Sequence, residues 1–310
     1  MKTTHRVFCC AISLALACFV FGCSKSGRET ARKAVNKEYY DSMDSNKIES
    51  LAKQGDAEAQ FRFGLMFQNG MGVKQNYDEA LKWYRQAAEK GNIDAQNGIG
   101  VLYSNGLGVA RDKKEALKWF QPLVDKGVPA AQYNVGLMHY FGDGMPKDIK
   151  EAIRLFRLSA EQGCPQAQSH LGVMYENGEG VPKDFQKAIK LYRLSADQGY
   201  ASAQLNTGNM YFYGKGVPKD YQEAIRWFRL AADQGNAKAQ NNLGILYAKG
   251  VGVPLDYVQS YMWFNLAYSA GNESVKANIS MIEPLMTPRQ IENARKLAKE
   301  WKPKLLQKKS

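Results

Sequence analysis

Residue types that commonly carry out chemistry are sparse in this chain of 310 residues. Beyond residue 30 there are two histidines, His139 and His170, and one cysteine, Cys164. An active site needs convergent titratable groups or metal ligands, and the chain has no His-x-x-x-His motif and no phosphate loop. Each Gly-x-Gly recurs at the same place in a repeated unit, so it indicates a turn and not a nucleotide site. The sequence therefore predicts a non-catalytic protein that needs no metal and no cofactor.

The N-terminal segment has the organisation of an export signal. Lys2 and Arg6 precede the apolar run Val7 to Phe21, which is short for a membrane span and suits the core of a signal peptide. The run ends at Gly22-Cys23, which resembles the lipobox of bacterial lipoproteins. That resemblance implies a signal peptide over residues 1–22 and a lipid on Cys23. An ordinary signal peptide and an uncleaved anchor are the alternatives.

The lipobox interpretation also predicts a location. Residues 23–45 become a polar tether, and Ser24 resembles the outer-membrane sorting pattern of Gram-negative bacteria. We therefore expect an exported, membrane-anchored lipoprotein on the periplasmic face of the outer membrane. With Cys23 acylated, Cys164 has no cysteine partner, so the folded part must be held by its core and not by disulfide bonds.

A gap-free repeat of 36 residues determines the predicted fold class. Six copies begin at glycine, and a degenerate seventh begins at Gly271. The six starting positions are Gly55, Gly91, Gly127, Gly163, Gly199 and Gly235. A fixed period of this length is typical of solenoids, in which each unit buries its apolar faces against its neighbours.

Each copy carries the signals of two helices, as repeat five illustrates. The first helix stops at Gly214, which suits a left-handed C-cap. The second begins at Asp220 with Glu223 three residues later, which is the spacing of a capping box. Gly208 in the middle of the first helix costs about 1 kcal/mol relative to alanine. We therefore expect another helix to pass there too closely for a β-carbon.

The unit resembles a known repeat. Its pattern, A-Q…LG…Y…G-x-GV-P-x-D…A…WF…A-A…G, is similar to the Sel-one-like repeat (SLR), a relative of the tetratricopeptide repeat. The resemblance implies an all-α protein, a right-handed superhelical α/α solenoid whose first helices line a concave, protein-binding surface. We expect a capping helix over residues 46–54, six repeats over 55–270, and a degenerate repeat, closing helix and basic tail over 271–310. Thr287, Pro288 and Gln290 predict a capped start for the closing helix.

Variable positions of the first helices are the candidate binding surface. On a helical wheel they lie opposite the buried side, where aromatic anchors beside asparagine amides suit a bound peptide. The predicted groove residues are Asn97, Tyr133, Asn134, Tyr140, His170, Glu176, Asn206, Phe212, Asn241 and Asn242. The alternative is that the aromatic residues pack between neighbouring first helices. We expect His170 to be exposed and His139, which replaces a recurring tyrosine or phenylalanine, to lie in or near the core.

These patterns predict a monomeric scaffold whose partner is a protein or peptide. Binding or hydrolysis of peptidoglycan fragments or β-lactams in the same groove is the alternative function. Cysteine-rich members of the resembled family are linked to β-lactams, and this sequence lacks their cysteine pairs.

Basic residues do not predict a nucleic-acid partner, although the formal net charge is +12. Arginines of the second helices stand four residues before acidic ones, as in Arg157 and Glu161, so their charges neutralise each other on a solvated face. Residues 287–310 hold eight basic and two acidic residues. This tail can touch anionic headgroups or peptidoglycan, or serve as a solubilising end. The tryptophans of the second helices are predicted to be core residues: Trp83, Trp119, Trp227 and Trp263.

Overall fold

The computed structural model of the protein describes residues 39–302. The predicted signal peptide and the lipidation site Cys23 lie outside these residues, as does the end of the basic tail. The chain divides into two compact units between Phe120 and Gln121, and each is described by itself. All regular elements of the described residues are helices, and among them no helix is both long and apolar enough to cross a membrane.

The first unit is built from consecutive antiparallel helices. A short helical segment at residues 39–41 precedes them. The helices are α1 (Ser45–Lys53), α2 (Ala57–Asn69), α3 (Tyr77–Glu89), α4 (Ile93–Asn105) and α5 (Lys113–Asp125), the last of which ends in the second unit. Ile48 and Ala52 of α1 are buried against Ala59 and Phe63 of α2, so α1 covers the apolar face of the first repeat.

The second unit continues the alternation of helices and adds a closing segment. Its repeat helices are α6 (Pro129–Phe141), α7 (Ile149–Glu161), α8 (Pro165–Asn177), α9 (Phe185–Asp197), α10 (Ala201–Tyr213), α11 (Tyr221–Asp233), α12 (Ala237–Lys249) and α13 (Tyr257–Ser269). The closing segment consists of α14 (Val275–Ile282), a 3₁₀ turn (Glu283–Leu285) and α15 (Pro288–Glu300). The helices of each repeat are thirteen residues long, which confirms the predicted helix pairs.

The mid-helix glycines allow the two helices of a repeat to pack closely. A β-carbon on Gly208 would lie 2.5 Å from the ring of Phe228 in α11, and one on Gly172 would lie 2.6 Å from Tyr192 in α9. Both distances are well inside van der Waals contact, so the rings occupy the space that a side chain would need. The expected close approach is confirmed, and its partner is an aromatic ring on the second helix of the same repeat.

The second helices form one of the two hydrogen bonds of the predicted capping box. In repeat five the Asp220 carboxylate accepts from the backbone amide of Glu223 at 3.0 Å. The Asp220 amide, however, donates to the carbonyl of Tyr211 at 3.0 Å. Because that amide is already bonded, the Glu223 carboxylate pairs with Arg226 at 2.9 Å. The box is complete at α15, where Thr287 and Gln290 exchange both hydrogen bonds.

The core is formed by both helices of each repeat, and the aromatic residues of the second helices and the closing helix contribute to it. Trp227 and Trp263 are buried, as predicted, and Trp83 and Trp119 pack half-buried against their clusters. In the closing helix Ala294 is buried, and Trp301 meets the ring of Trp263 at 6.2 Å between centroids. The apolar face of the last repeat is therefore covered, as a solenoid end requires.

Candidate functional site

Residues predicted to form the groove fall on the first helices of the repeats, but the structure uses them in different ways. Asn97 lies half-buried on α4 of the first unit, and the other nine lie in the second unit. Asn134 and Asn206 are also half-buried. The remaining residues form two groups, one packed into the repeats and one lining an open cleft.

An aromatic cluster, formed by Tyr133, Tyr140, Phe156 and His170, occupies repeats three and four. The imidazole of His170 lies 4.7 Å from the Phe156 ring and 5.1 Å from the Tyr140 ring, between centroids. The centroid of the Tyr133 ring lies 6.2 Å from that of the His170 imidazole. The expectation that His170 is exposed is therefore wrong. Its position on α8 faces the preceding repeat, whose aromatic side chains cover it.

Burial in this cluster shifts two titration equilibria. Desolvation lowers the pKa of His170, with a smaller opposing contribution from the Glu179 carboxylate. Desolvation also raises the pKa of Tyr133 to about 12. Neutral imidazole and neutral phenol are the forms that this packing favours, and the contacts of the His170 ring join repeat four to repeat three.

Two of the predicted groove residues, Tyr140 and Glu176, have side chains that are hydrogen-bonded within the chain. The Tyr140 hydroxyl donates to the Glu179 carboxylate, 39 residues away in the turn of the next repeat. This hydrogen bond raises the pKa of Tyr140 and, together with one from Asn177, lowers the pKa of Glu179. Glu176 repeats the arrangement, since it accepts 2.9 Å hydrogen bonds from Lys215 and from the Tyr192 hydroxyl.

Apolar residues on the predicted groove side pack against other helices, Leu205 against the next repeat and Phe212 against α11 of its own repeat. Leu205 is buried against Ala239 and Leu243 of α12, and Phe212 is half-buried with its ring 5.4 Å from Tyr221. Ser169 at the matching position of repeat four is buried too. Neighbouring first helices pack on each other, which a wheel drawn for an isolated helix does not include.

An open cleft lies between α10, α12 and the turn after α13, and we refer to it as the asparagine cleft. Its volume is about 560 Å³. It is lined by Leu205, Asn209, Tyr213, Ala237, Lys238, Asn241, Asn242, Ala270, Gly271, Asn272 and Ser274. The predicted groove residues Asn241 and Asn242 therefore meet here, beside Lys238 and the exposed ring of Tyr213.

Hydrogen bonds hold the carboxamides of the asparagine cleft in place. The Asn242 side-chain amide donates to the Asn209 side-chain oxygen at 3.3 Å. The Asn278 amide donates to the Asn241 side-chain oxygen at 2.9 Å. Each carboxamide has two N–H donors and an oxygen with two lone pairs, so these bonds use only part of its capacity. The cleft is suited to a ligand that offers both carbonyl oxygens and N–H groups.

Sequence reasoning missed Asn209, although a signal was present. The same position holds Leu65, Val101, Leu137, Val173 and Ile245 in the other five copies. An asparagine that replaces an apolar residue of a repeat indicates that the local packing has changed. Here Asn209 lines the cleft.

Groups with catalytic or metal-binding potential do not gather at either site. In residues 39–302 no three His, Cys, Asp or Glu side chains are placed to hold a metal ion. Cys164 is a half-buried free thiol 3.3 Å from the Gln166 side-chain oxygen. The chemistry available in the asparagine cleft is hydrogen bonding, apolar contact and the positive charge of Lys238.

Comparison with known structures gives a clear relationship. The crystal structure of a Sel1 repeat protein from Oxalobacter formigenes is 36% identical, with a TM-score of 0.62 over 70% of this chain and 89% of that one. Immunity proteins Pa5087 and PA5088 from Pseudomonas aeruginosa are 22% identical, each with a TM-score of 0.54 over 70% of this chain, and cover 83% and 82% of their own chains. At that identity they show the shared fold alone.

A search among curated proteins found no match. The profile of the Sel1 repeat, in contrast, matches six consecutive segments, at residues 57–92, 93–128, 129–164, 165–200, 201–236 and 237–272. Repeats of this kind generally serve as protein-interaction scaffolds. With most of its length in matched repeats and a relative above one-third identity, the chain belongs to the Sel1 repeat family.

Proposed function

We propose that the protein is a non-catalytic lipoprotein scaffold of the bacterial envelope that holds an extended segment of a partner protein in the asparagine cleft. The observation that supports this proposal is the set of half-satisfied carboxamides at one open site. Asn209, Asn241 and Asn242 keep free hydrogen-bonding capacity there, whereas comparable groups of the aromatic cluster are engaged within the chain.

An extended peptide fits this chemistry because its main chain alternates N–H donors and carbonyl acceptors. The remaining amide protons of Asn209 and Asn241 can donate to its carbonyls, and the oxygen of Asn242 can accept from an N–H. Tyr213 is 60% exposed at the rim and offers an aromatic surface for a partner side chain. The asparagines are half-buried, which reduces competition from water for these bonds.

Envelope attachment is supported by the sequence before residue 39. The apolar run followed by Gly22-Cys23 suits an exported chain whose Cys23 carries lipid, with the following residues as a tether. Replacing Cys23 with alanine should release the protein from washed membranes while its thermal unfolding midpoint stays unchanged. A Cys23→Ala variant that still pellets with membranes after a high-salt wash would contradict the lipid anchor.

A crosslinking pull-down from intact envelopes tests the partner proposal. The wild type is compared with an Asn209→Ala, Asn241→Ala variant, and Asn293→Ala on the exposed side of α15 is the matched control. We expect a specific protein that the wild type and Asn293→Ala retrieve and the cleft variant loses. Retrieval of the same proteins by all three forms would refute the cleft as the partner site.

The alternative ligand, a peptidoglycan fragment, is tested with the purified protein. We expect soluble muropeptides added to the purified protein to leave its unfolding midpoint unchanged. A ligand that binds the native state must raise that midpoint, so an unchanged value means that muropeptides do not bind. A rise that the Asn209→Ala, Asn241→Ala variant abolishes would assign the cleft to peptidoglycan fragments instead.

A further inference from the structure

Repeat four departs from the other repeats at the start of its second helix, α9. Three residues after the N-cap it has Lys187, where four of the other five copies have glutamate. In those four copies the glutamate forms an ion pair with the cation three residues later, at 2.7–3.4 Å. The glutamates are Glu79, Glu115, Glu151 and Glu223.

Lys187 breaks two local rules of helix stability. A cation in the first turn faces the positive end of the helix dipole, and like charges on neighbouring turns, here Lys187 and Lys190, repel each other. The Lys187 ammonium pairs with the N-cap carboxylate of Asp184 at 3.1 Å, which offsets part of this cost. Natural proteins depart from such rules mainly where function uses the departure.

Arg193, further along α9, also differs from its counterparts. In three other repeats the arginine at this position donates to the tyrosine hydroxyl eighteen residues later, as Arg229 does to Tyr247. Tyr211 stands at that spacing from Arg193, but no hydrogen bond joins the two within residues 39–302. In the same part of the chain neither Lys190 nor Arg193 forms an ion pair, although Asp197 follows Arg193 by four residues.

These cations line an open cleft along α9, which we refer to as the basic cleft. Its volume is about 550 Å³, and its lining includes Lys187, Lys190, Arg193, Leu194, Asp197 and Val217. Three positive charges therefore face one negative charge. Leu194 is 47% exposed and places apolar surface beside the cations. The combination suits a ligand that carries carboxylates next to an apolar side chain.

The extent of the positive surface favours a peptide over a membrane. The matching helices of repeats three and five carry the ion pairs Glu151–Arg154 and Glu223–Arg226. Along α9 the rise from Lys187 to Arg193 is only about 9 Å. Segments that bind anionic membranes generally carry about four to eight cations, so three cations in one repeat are few for that purpose.

We infer that the basic cleft binds an acidic segment of a protein, in which carboxylates flank an apolar side chain. The Arg193 guanidinium can hold one carboxylate with two parallel hydrogen bonds, and the Lys190 ammonium can pair with a second. The apolar side chain packs on Leu194. The lining of the basic cleft shares no residue with that of the asparagine cleft, so the inference goes beyond the proposed function and does not depend on it.

Fluorescence anisotropy of two labelled, blocked peptides with the full chain tests the inference. The probes are Glu-Leu-Glu-Leu-Glu and its uncharged counterpart Gln-Leu-Gln-Leu-Gln. We expect the glutamate peptide to bind about tenfold more tightly, because its hydrogen bonds are charge-assisted, and to lose this advantage in high salt. Equal affinity for the two peptides, or binding of neither, would overturn the inference.

Charge reversal at Lys187 tests the position of the site. Lys187→Glu restores the ion pair of the other repeats, so it should weaken binding of the glutamate peptide about tenfold and raise the unfolding midpoint by about 1–3 °C. Lys299→Glu makes the same charge change at an exposed position of α15 and should bind like the wild type. A Lys187→Glu protein that keeps wild-type binding, or that unfolds at a lower temperature, would refute the assignment.

A pair of arginine variants tests the role of the free guanidinium. Arg193→Gln should weaken binding of the glutamate peptide about tenfold. Arg229→Gln at the corresponding position of repeat five should leave binding unchanged, because Arg229 is bonded to Tyr247. Equal effects of the two variants would show that the peptide does not bind in the basic cleft.

Co-sedimentation with phosphatidylglycerol vesicles checks the other anionic partner. We expect the vesicles to retain the wild type and Lys187→Glu equally. Vesicles that retain the wild type but not Lys187→Glu, together with no binding of the glutamate peptide, would assign the basic cleft to a membrane surface and overturn the inference.

Discussion

The aromatic cluster and the asparagine cleft use corresponding positions of one repeat for opposite purposes. In repeats three and four, Tyr140 and Glu176 are bonded to side chains of the next repeat, and His170 is enclosed by rings. In repeats five and six, Asn241 and Asn242 line an open cleft. A repeat scaffold thus becomes cohesive where its variable residues engage one another fully, and the proposed function makes it receptive where they keep hydrogen-bonding capacity. The comparison predicts that substitutions in the aromatic cluster lower stability and that substitutions in the asparagine cleft lower partner binding.

The largest effect is expected from Phe156, which is fully buried and touches three members of the aromatic cluster. Phe156→Ala should lower the free energy of unfolding by about 3–5 kcal/mol, measured by urea denaturation. Phe141→Ala is the control, since Phe141 is 66% exposed on the preceding helix. It should change the value by less than about 0.5 kcal/mol. Equal losses would mean that the cluster does not hold the repeats together.

A matched pair of glutamines sharpens the comparison. Gln204 accepts from Gln234 and donates to Ala196, whereas Gln240 makes only the second kind of bond. Gln204→Ala should therefore cost about 1 kcal/mol more than Gln240→Ala, measured by chemical denaturation of both variants. A greater loss at Gln240 would show that its oxygen has a partner that this account omits.

The pKa of His170 gives a pH dependence to the aromatic cluster. Because burial lowers this pKa in the folded state below the ordinary value of 6.5, the unfolded chain binds the proton more readily. The stability contributed by neutral His170 is complete above pH 6.5 and is lost as the pH falls toward its folded-state pKa. His170→Asn, which introduces the residue found at this position in three other repeats, should flatten the curve of stability against pH below pH 6.5. An unchanged slope would contradict the burial of His170.

The smallest effect is expected from the ion pair between Glu176 and Lys215. The Lys215 side chain is 41% exposed, and Glu176 keeps its bond to Tyr192 when the lysine is removed. Lys215→Ala should cost about 0.2–1 kcal/mol, decreasing further in high salt, as measured by thermal denaturation. A loss beyond 2 kcal/mol, larger than surface pairs provide, would place this pair among the main contacts between repeats.

The repeat period predicted the fold because each local signal recurs six times. Gly208 illustrates this, since a helix-weakening residue at a fixed place implies a close neighbour, and the structure supplies Phe228. The site was harder to predict, because it depends on contacts between copies. A helical wheel cannot show that Tyr133 covers His170 one repeat later.

Photocrosslinking at two corresponding positions tests the central claim most directly. Tyr213 lines the asparagine cleft, and Phe141 holds the same place in repeat three, with exposures of 60% and 66%. The photoreactive residue p-benzoylphenylalanine replaces each one in turn in the full chain, and intact envelopes are irradiated. We predict a discrete crosslinked protein from position 213 that is missing from position 141. Crosslinks of equal yield at both positions, or at position 141 alone, would contradict the account.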